Sequence, residues 1–529
     1  MRKFLESRFA PIVVIGALDG AVFGLLFYFG AIALTLRNPL FTVAVFSAVI
    51  WLLIIGFGRL SGWGKISKAL FISIGIAVIF VIIVSVANST LFNARAYSSQ
   101  FIYTEKEFAE FEGSIDNIPL LDKASSDNIA KRKFGELTDY VSQYKIIDSE
   151  QIIYKGKPVR LSVLEHTSLW SWNRNRTTPG YILVDMQTHK AELVRTEKPI
   201  VYSARTYFGK NITRYIRMNY KSVQFMEPTA ELGDDGQIYW VAPTYERIVG
   251  LYGGKLINGA IVVNAHTGEH TRYNKVTDIP EWIDNVYPSD YIMTMYDYKG
   301  ELSNGFWNTL FSKTGMTMTT DGYNYLPIGE DNWIYTGITS VSMADESNIA
   351  FILTNKRTME THYFPVSGAE EYSAMEAAEG EVQHLGYTAT FPLLLNIEGT
   401  PTYVLSLKDK NELVKMYAMI QVEDYRNVVV DTDLNTVKNK YLSRVKGTEY
   451  VEERPMAEAP APSSGLFTDL QEVSGVLSDR NLINVKGDSY IVFKLAGVDE
   501  IYVTPAVANM ELLFTPMGEQ IEVKASKIK

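Results

Sequence analysis

The sequence predicts an α-helical transmembrane bundle of three spans, then a large α+β domain of tandem helix/antiparallel-hairpin repeats, then a small C-terminal β-barrel. Three observations predict this. Three long apolar runs crowd the N-terminal end, one strand-and-turn pattern recurs downstream of them, and the tail alternates apolar and polar residues between glycines.

The bulk numbers set the frame. At 529 residues the chain is too long for one ordinary domain. It is 47% hydrophobic and 21% charged, so it is neither disordered nor fibrous. Its net charge of -10 is uneven: residues 1–98 hold eight Lys/Arg and two acids, leaving an excess of 16 acids in the remainder. That acidic bulk excludes nucleic acid as the main partner, because phosphate binding needs clustered cations. With no cysteine there are no disulfides, thiolate metal sites or Cys nucleophile.

The first element is the transmembrane region, residues 1–97. Its runs are Ile12–Leu36 (25 residues), Leu40–Gly58 (19) and Ala69–Ala87 (19). Each covers about 28 Å or more, enough for a bilayer core. The first is too long for a signal-peptide core, and two more follow. Orientation comes from the flanks. Arg2, Lys3 and Arg8 precede the first span, and Arg59, Lys65 and Lys68 lie between the second and third, whereas Arg37 stands alone between the first and second. The positive-inside rule places the N-terminus in the cytoplasm and everything after about residue 88 outside it.

Within the first span, "GALDGAVFG" (16–24) sets Gly16, Gly20 and Gly24 in one stripe, a helix-packing face that fits a partner span or a second copy of the chain. Asp19 lies on the flank of that stripe, about 10 Å into the core. A carboxyl there faces protein rather than lipid. Trp51, at similar depth on the second span, and Ser73, shallower on the third, are its candidate hydrogen-bond partners. Asp19 reads either as a structural acid or as one that handles protons or ions.

The second element is residues 98–450. "GYILVDMQTHKAEL" from Gly180 aligns with "GAIVVNAHTGEHTR" from Gly259 and with "AFILTNKRTMETHYF" from Ala350. Each has alternating strand residues, then Asp or Asn, then Thr three positions on, which is side-chain-bonded turn chemistry. A fourth start, "GTPTYVLSLKD" from Gly399, lacks the Thr. Amphipathic helices are expected at 131–144, 370–383 and 434–445. A helix laid on antiparallel strands, repeated, gives an α+β array.

"VVNAHTGEHTRY" resembles the end of a PepSY-type repeat, in which a strand closes on Asp-x-x-Thr-Gly-Glu. "YILVDMQTHKAEL" is similar but has His189 and Lys190 in place of Gly-Glu. The resemblance implies an extracytoplasmic binding or regulatory module. It carries over no catalytic residue, since the motif is structural.

The third element follows a Pro/Ala/Glu-rich linker, "VEERPMAEAPAPSSG" (451–465), whose composition cannot build a core. Residues 466–529 then offer "NLINV", "SYIVFKL", "DEIYV", "MELLFTP" and "EQIEV" as short strands, with Gly487, Gly497 and Gly518 near the turns. This predicts a small barrel of OB or SH3-like type.

No nucleophile elbow, zinc-protease or phosphate-loop motif is present. His266 and His270 in "HTGEH" straddle a turn and read as solvated rings, not metal ligands. "LWSWNRNRTTPGY" (169–181) gathers Trp170, Trp172, Arg174 and Arg176, residue types that anchor interfaces. It reads either as a loop covering the sheet edge or as an interface. "NGFWNTLFSKTGM" (304–316) reads as core packing ahead of the alternative, an aromatic groove lining. The expected protein is a non-enzymatic cell-envelope protein, multi-pass in the membrane, without cofactor or metal. Its extracytoplasmic repeats would bind or regulate a protein or an envelope polymer. Lipid is the other partner, and homo-oligomerisation through the membrane helices is open. The alternatives are a transport or assembly component using Asp19, and an envelope hydrolase.

Overall fold

The computed structural model describes residues 9–528 apart from 112, 114–117, 147–148, 342–346, 449–469, 486–487 and 507. Arg2, Lys3, Arg8, the 451–465 linker and Gly487 therefore lie outside the described residues. The chain divides into two units, Met1–Gly447 and Thr448–Lys529.

The first unit opens with three helices long and apolar enough to cross a membrane: α1 (Ala10–Gly30), α2 (Pro39–Gly58) and α3 (Trp63–Ala87). Side chains such as Leu26, Phe57, Phe71 and Ile83 point away from protein, as lipid-facing residues do. Asn38 starts α2 by accepting the amides of Leu40 and Phe41, with Pro39 at the first helical position. Trp51 and Ile55 of α2 pack on Ile66 and Ala69 of α3, and Phe46 stacks on Phe80 at 4.9 Å. α1 joins this pair through Ile12 and Ile15, and through Phe23 against Phe41 at 6.0 Å.

The first span is shorter than the 12–36 expected. α1 ends at Gly30, where Ala31 turns left-handed (φ 48°). Residues 31–37 are instead held by the large domain. The Ala31 carbonyl accepts from Arg217 Nε (2.8 Å), the Leu34 amide donates to the Lys221 carbonyl (2.8 Å), and the Arg37 carbonyl accepts from Gln224 Nε2 (3.1 Å). These backbone groups find partners outside the helix, which an apolar run cannot reveal. The α1–α2 loop thus lies at the same end of the helices as the large domain.

After α3, a short helix α4 (Thr90–Ser98) leads into the large domain. Among the described residues its four sheets each hold a four-strand antiparallel meander, wider than the two-strand hairpins expected. The first runs Glu150–Tyr154, Lys157–His166, Thr178–Asp185, Ala191–Ile200; the second runs Thr229–Leu232, Ile238–Glu246, Leu256–Asn264, His270–Tyr273. The third runs Asn324–Ile328, Asp331–Ser340, Ser347–Asn355, Thr361–Phe364; the fourth runs Leu393–Ile397, Thr400–Lys408, Val414–Gln421, Val428–Asp431.

The sheets pack on one another in chain order. Leu161 and Val163 meet Trp240 and Ile261 between the first and second. Val241 and Val262 meet Ile334 and Ile352 between the second and third, and Leu326 and Tyr335 meet Leu394 and Tyr403 between the third and fourth. Helix α5 (Lys123–Gly135) returns the fourth sheet to the first. Its Ala130 and Phe134 pack on Ile182 and Val184 with Val414, and Lys408 pairs with Asp122 at 2.6 Å.

Three turns between the third and fourth strands share one geometry. Asp185 Oδ1 accepts the amides of Gln187 and Thr188, Asn264 Oδ1 those of His266 and Thr267, and Asn355 Oδ1 those of Arg357 and Thr358, all between 2.8 and 3.0 Å. The residue after each Thr is left-handed: His189 (φ 59°), Gly268 (φ 78°) and Met359 (φ 66°). The expected helices at 370–383 and 434–445 form as Glu371–Glu381 and Leu434–Lys446. The one expected at 131–144 begins earlier, because Asp122 caps α5 by accepting the Ser125 amide, and α5 stops at Gly135.

The second unit is a closed four-stranded barrel of Gln471–Val485, Asp488–Leu495, Ile501–Pro505 and Gln520–Ile528, around Leu477, Ile491, Phe493 and Leu512. Its first strand serves two neighbours. Residues 471–476 pair with 520–525, Leu477 pairs with Leu495, and after a bulge before Asp479 the rest pairs with 488–494. "NLINV" is the end of that long strand, and Met510–Leu513 is a 3-10 turn rather than the strand expected for "MELLFTP".

Candidate binding cavity

A cavity of about 860 Å³ opens in the large domain between the first and second sheets. In Lys157–His166, side chains alternate, so Leu161, Val163 and Glu165 share one face and line it. Ile238–Glu246 contributes Trp240 and Tyr245, and the following turn contributes Arg247, Tyr252, Gly254 and Lys255. Helix α6 (Ser289–Leu302) supplies Tyr291 and Tyr298, and α4 supplies Tyr97. Rings with a few convergent polar groups are the usual lining of a ligand site.

The cavity wall is fastened to the end of α3. Asn88 Oδ1 accepts the amides of Leu251 (2.8 Å) and Tyr252 (3.2 Å). The Tyr97 hydroxyl donates to the Asn88 carbonyl (2.7 Å) and accepts from the Gly254 amide (3.0 Å). A β-carbon at Gly253 would lie 2.2 Å from the Asn88 carbonyl oxygen, so only glycine allows this approach.

Electrostatics inside the cavity are mixed. Arg247 and Lys255 both lie over the Tyr245 ring, each at 5.3 Å. Burial, and then the Arg247 charge, push the Lys255 ammonium down. Burial pushes the Glu165 carboxyl up to about 7, against the hydrogen bonds it accepts from Ser203 Oγ (2.7 Å) and the amides of Ala204 and Arg205. Glu150, Glu227 and Asp290 add carboxylates to the lining.

A second polar group, fully buried, joins the sheets. Asn285 donates to Glu231 Oε1 (2.6 Å) and to the Gln151 carbonyl, which also accepts from Asn332. Burial raises Glu231 and Asp284, the latter to about 7, and lowers Lys356. Among the described residues no group of three or more His, Asp or Glu is placed to hold a metal ion.

The structure separates the residues singled out in the sequence. The Trp51 indole donates to the Ile66 carbonyl (3.0 Å), and Ser73 Oγ to the Leu70 carbonyl (2.7 Å), so neither is the partner expected for Asp19. Carbonyls nearer to hand on their own helix pair win. Asp19 is half-buried, with no hydrogen bond or ion pair among the described residues. Gly16 sits against Trp51, where a β-carbon would meet the ring at 3.3 Å, but Gly20 and Gly24 face open space. Trp170, Trp172, Arg174 and Arg176 split around a short capped helix, Leu169–Arg174. Trp172 is 4% exposed against Tyr207 and Phe208, with Arg176 over its ring at 4.4 Å, while Trp170 is 80% exposed.

Two expectations are overturned. His266 is buried, not solvated: its Nδ1 meets the Lys198 carbonyl at 2.7 Å and its Nε2 accepts the Ile238 amide. His270 Nδ1 meets the Tyr220 hydroxyl at 2.8 Å. In 304–316, Met316 is buried and Phe306 packs against a core cluster, but Trp307 (60%) and Phe311 (80%) are exposed. The cavity residues themselves were missed. Their signal was "TYERIVGLYGGK" (244–255), where glycines and tyrosines interrupt two strands.

No known protein family profile matches the chain, and no curated protein matches it. Among solved structures it is similar to the cobalt-substituted apocarotenoid oxygenase of Synechocystis, with 8% identity over 55% of this chain and a TM-score of 0.14. The chain spans 50% of that oxygenase's length. It is also similar to an alpha-L-arabinofuranosidase from Lactobacillus brevis, with 8% identity, 73% of this chain, 94% of that one and a TM-score of 0.16. A B. megaterium levansucrase variant gives 9% identity, 83% and 98% coverage, and a TM-score of 0.17. Likenesses this weak define neither fold nor activity.

Proposed function

We propose that this protein is a non-enzymatic, membrane-anchored component of a cell envelope, whose large domain binds a protein or an envelope polymer in the cavity beside α4. The N-terminus is cytoplasmic, from the basic flanks of the spans, and the large domain extracytoplasmic. The observation that carries the reading is the cavity itself: aromatic, of mixed charge, and hydrogen-bonded to the end of the last membrane helix. Aromatic faces beside fixed cations and carboxylates suit a chain of alternating apolar and charged groups. The three matching Asx turns support reading the sheets as diverged copies of one PepSY-like module. In the test, full-length protein immobilised in lipid nanodiscs is exposed to solubilised envelope material. The wild type retains a specific protein or wall fragment, and a Tyr245→Ala/Lys255→Glu double variant does not. Equal retention by both removes the cavity from the reading.

Two further readings each rest on one residue. Glu165, a carboxyl pushed up to about 7 inside the cavity, favours an envelope hydrolase with Glu165 as general acid. Loss of wall hydrolysis in Glu165→Gln would establish it, and absence of hydrolysis in the wild type would remove it. Asp19, unpartnered beside the open stripe of Gly20 and Gly24, favours a transport or assembly role in a homo-oligomer. Unchanged proton flux in Asp19→Asn would remove that.

A further inference from the structure

The segment expected to fill a core instead faces outward. Helix α7 (Phe306–Phe311) is a single turn and a half, entered through Gly305 at φ 85°. Its polar side is tied down: Asn304 and Asn308 both donate to the Thr314 carbonyl, and Asn308 Oδ1 accepts the Thr314 amide. Phe306 is its root, packed with Tyr97, Leu302, Ala94 and Tyr298. Trp307, Leu310 and Phe311 are all exposed, with the Trp307 and Phe311 rings stacked at 5.9 Å. A hydrogen-bonded turn that leaves three large apolar side chains mostly exposed side by side marks an interaction surface.

Its position names the occupant. α7 packs on α4, which begins three residues after α3 ends, and Phe92 of α4 is itself 66% exposed. On the other flank, Phe208 is exposed beside the end of α1, where Arg214 donates to the Phe208 carbonyl and lies over the Phe29 ring at 5.5 Å. The outward aromatic residues therefore lie next to the ends of the helices that reach the large domain. Exposed Arg95 and Lys313 accompany them. Trp and Phe with nearby cations are the residues that settle at the boundary of headgroups and acyl chains.

We propose that Trp307, Leu310 and Phe311 insert into the interfacial layer of the same bilayer that α1–α3 span, seating the large domain against lipid. The proposal rests on the helices spanning a membrane and is independent of what the cavity holds. The chain has no cysteine, so single-cysteine variants of the full chain report one position each. Phe311→Cys, Trp307→Cys, Lys410→Cys on a hairpin of the fourth sheet, and Leu53→Cys inside α2 are labelled with an environment-sensitive fluorophore. All are reconstituted in vesicles of phosphatidylethanolamine and phosphatidylglycerol. Lipids with a nitroxide near the headgroup should quench the labels at 311 and 307 several-fold more than the label at 410, and aqueous iodide should quench them several-fold less. Iodide quenching at 311 and 307 equal to that at 410, or protection from both quenchers, would overturn the proposal, the latter placing protein rather than lipid over the turn. Leu53→Cys keeps the outcomes distinct, because loss of its quenching by deep nitroxides would mean that the spans, not the seat, are wrong.

Discussion

The Tyr97 hydroxyl and the Gly254 amide share a 3.0 Å hydrogen bond that ties the cavity wall to the segment leaving the membrane. The same hydroxyl donates to the Asn88 carbonyl at 2.7 Å, one residue past α3. Tyr97→Phe keeps the ring against Tyr298 and removes both bonds, costing about 1–2 kcal/mol. Gly253→Ala is more severe, since its β-carbon would lie 2.2 Å from the Asn88 carbonyl oxygen and 2.8 Å from the Tyr97 hydroxyl. Both variants should show faster protease cleavage at 247–255 in detergent, with Gly253→Ala the faster. Cleavage at wild-type rates would show that the junction is not held this way.

Glu165 gives a pH dependence of defined sign. Its carboxyl is pushed up to about 7 by burial, from an ordinary value of 4.5. Between those values the folded chain holds a proton that the unfolded chain has lost, so Glu165 makes stability fall as pH rises from about 4.5 to 7. The span corresponds to a loss on the order of 3 kcal/mol. Glu165→Gln should flatten that slope relative to wild type in denaturant melts at pH 5 and 7.5. Parallel slopes would contradict it.

His166 acts in the opposite sense. Burial pushes its imidazole down from 6.5 to about 4, so its share of stability is present above pH 6.5 and lost as pH falls towards 4. His166→Phe should keep the ring contact with Tyr144 and raise stability at pH 5 relative to pH 7.5. An unchanged ratio between the two pH values would contradict it.

The matched turns make a paired prediction. His189 occupies the left-handed position that glycine holds at 268, and its Nε2 is buried without a partner. His189→Gly should raise stability by about 1 kcal/mol, by relieving backbone strain and removing the orphaned nitrogen. Gly268→Ala should lower it by a larger amount, because a β-carbon there would lie 2.7 Å from the Tyr202 ring. Thermal melts of the two variants moving in the same direction would refute the shared geometry.

The sequence made the spans legible because a bilayer sets a length that composition alone can meet. It made the Asx turns legible because Asp185, Asn264 and Asn355 bond to their own backbone two and three residues on, a local interaction. What stayed hidden was long-range. The end of α1 depends on Arg217, 186 residues away, and the burial of His266 depends on Lys198. The cavity joins residues from Tyr97 to Tyr298 that no short motif connects. Trp307 and Phe311 looked like core because a sequence does not distinguish the apolar interior of a protein from that of a membrane.

The function proposed for the large domain turns on the cavity beside α4 being its binding site. The most direct measurement is photo-crosslinking in intact cells, with a photoreactive amino acid replacing Thr294 on the cavity lining or Lys410 on the fourth-sheet hairpin. A discrete adduct at 294, absent at 410 and lost when Tyr245→Ala/Lys255→Glu is added, is the expected result. No adduct at 294, or the same adduct at both positions, would show that the cavity is not the binding site.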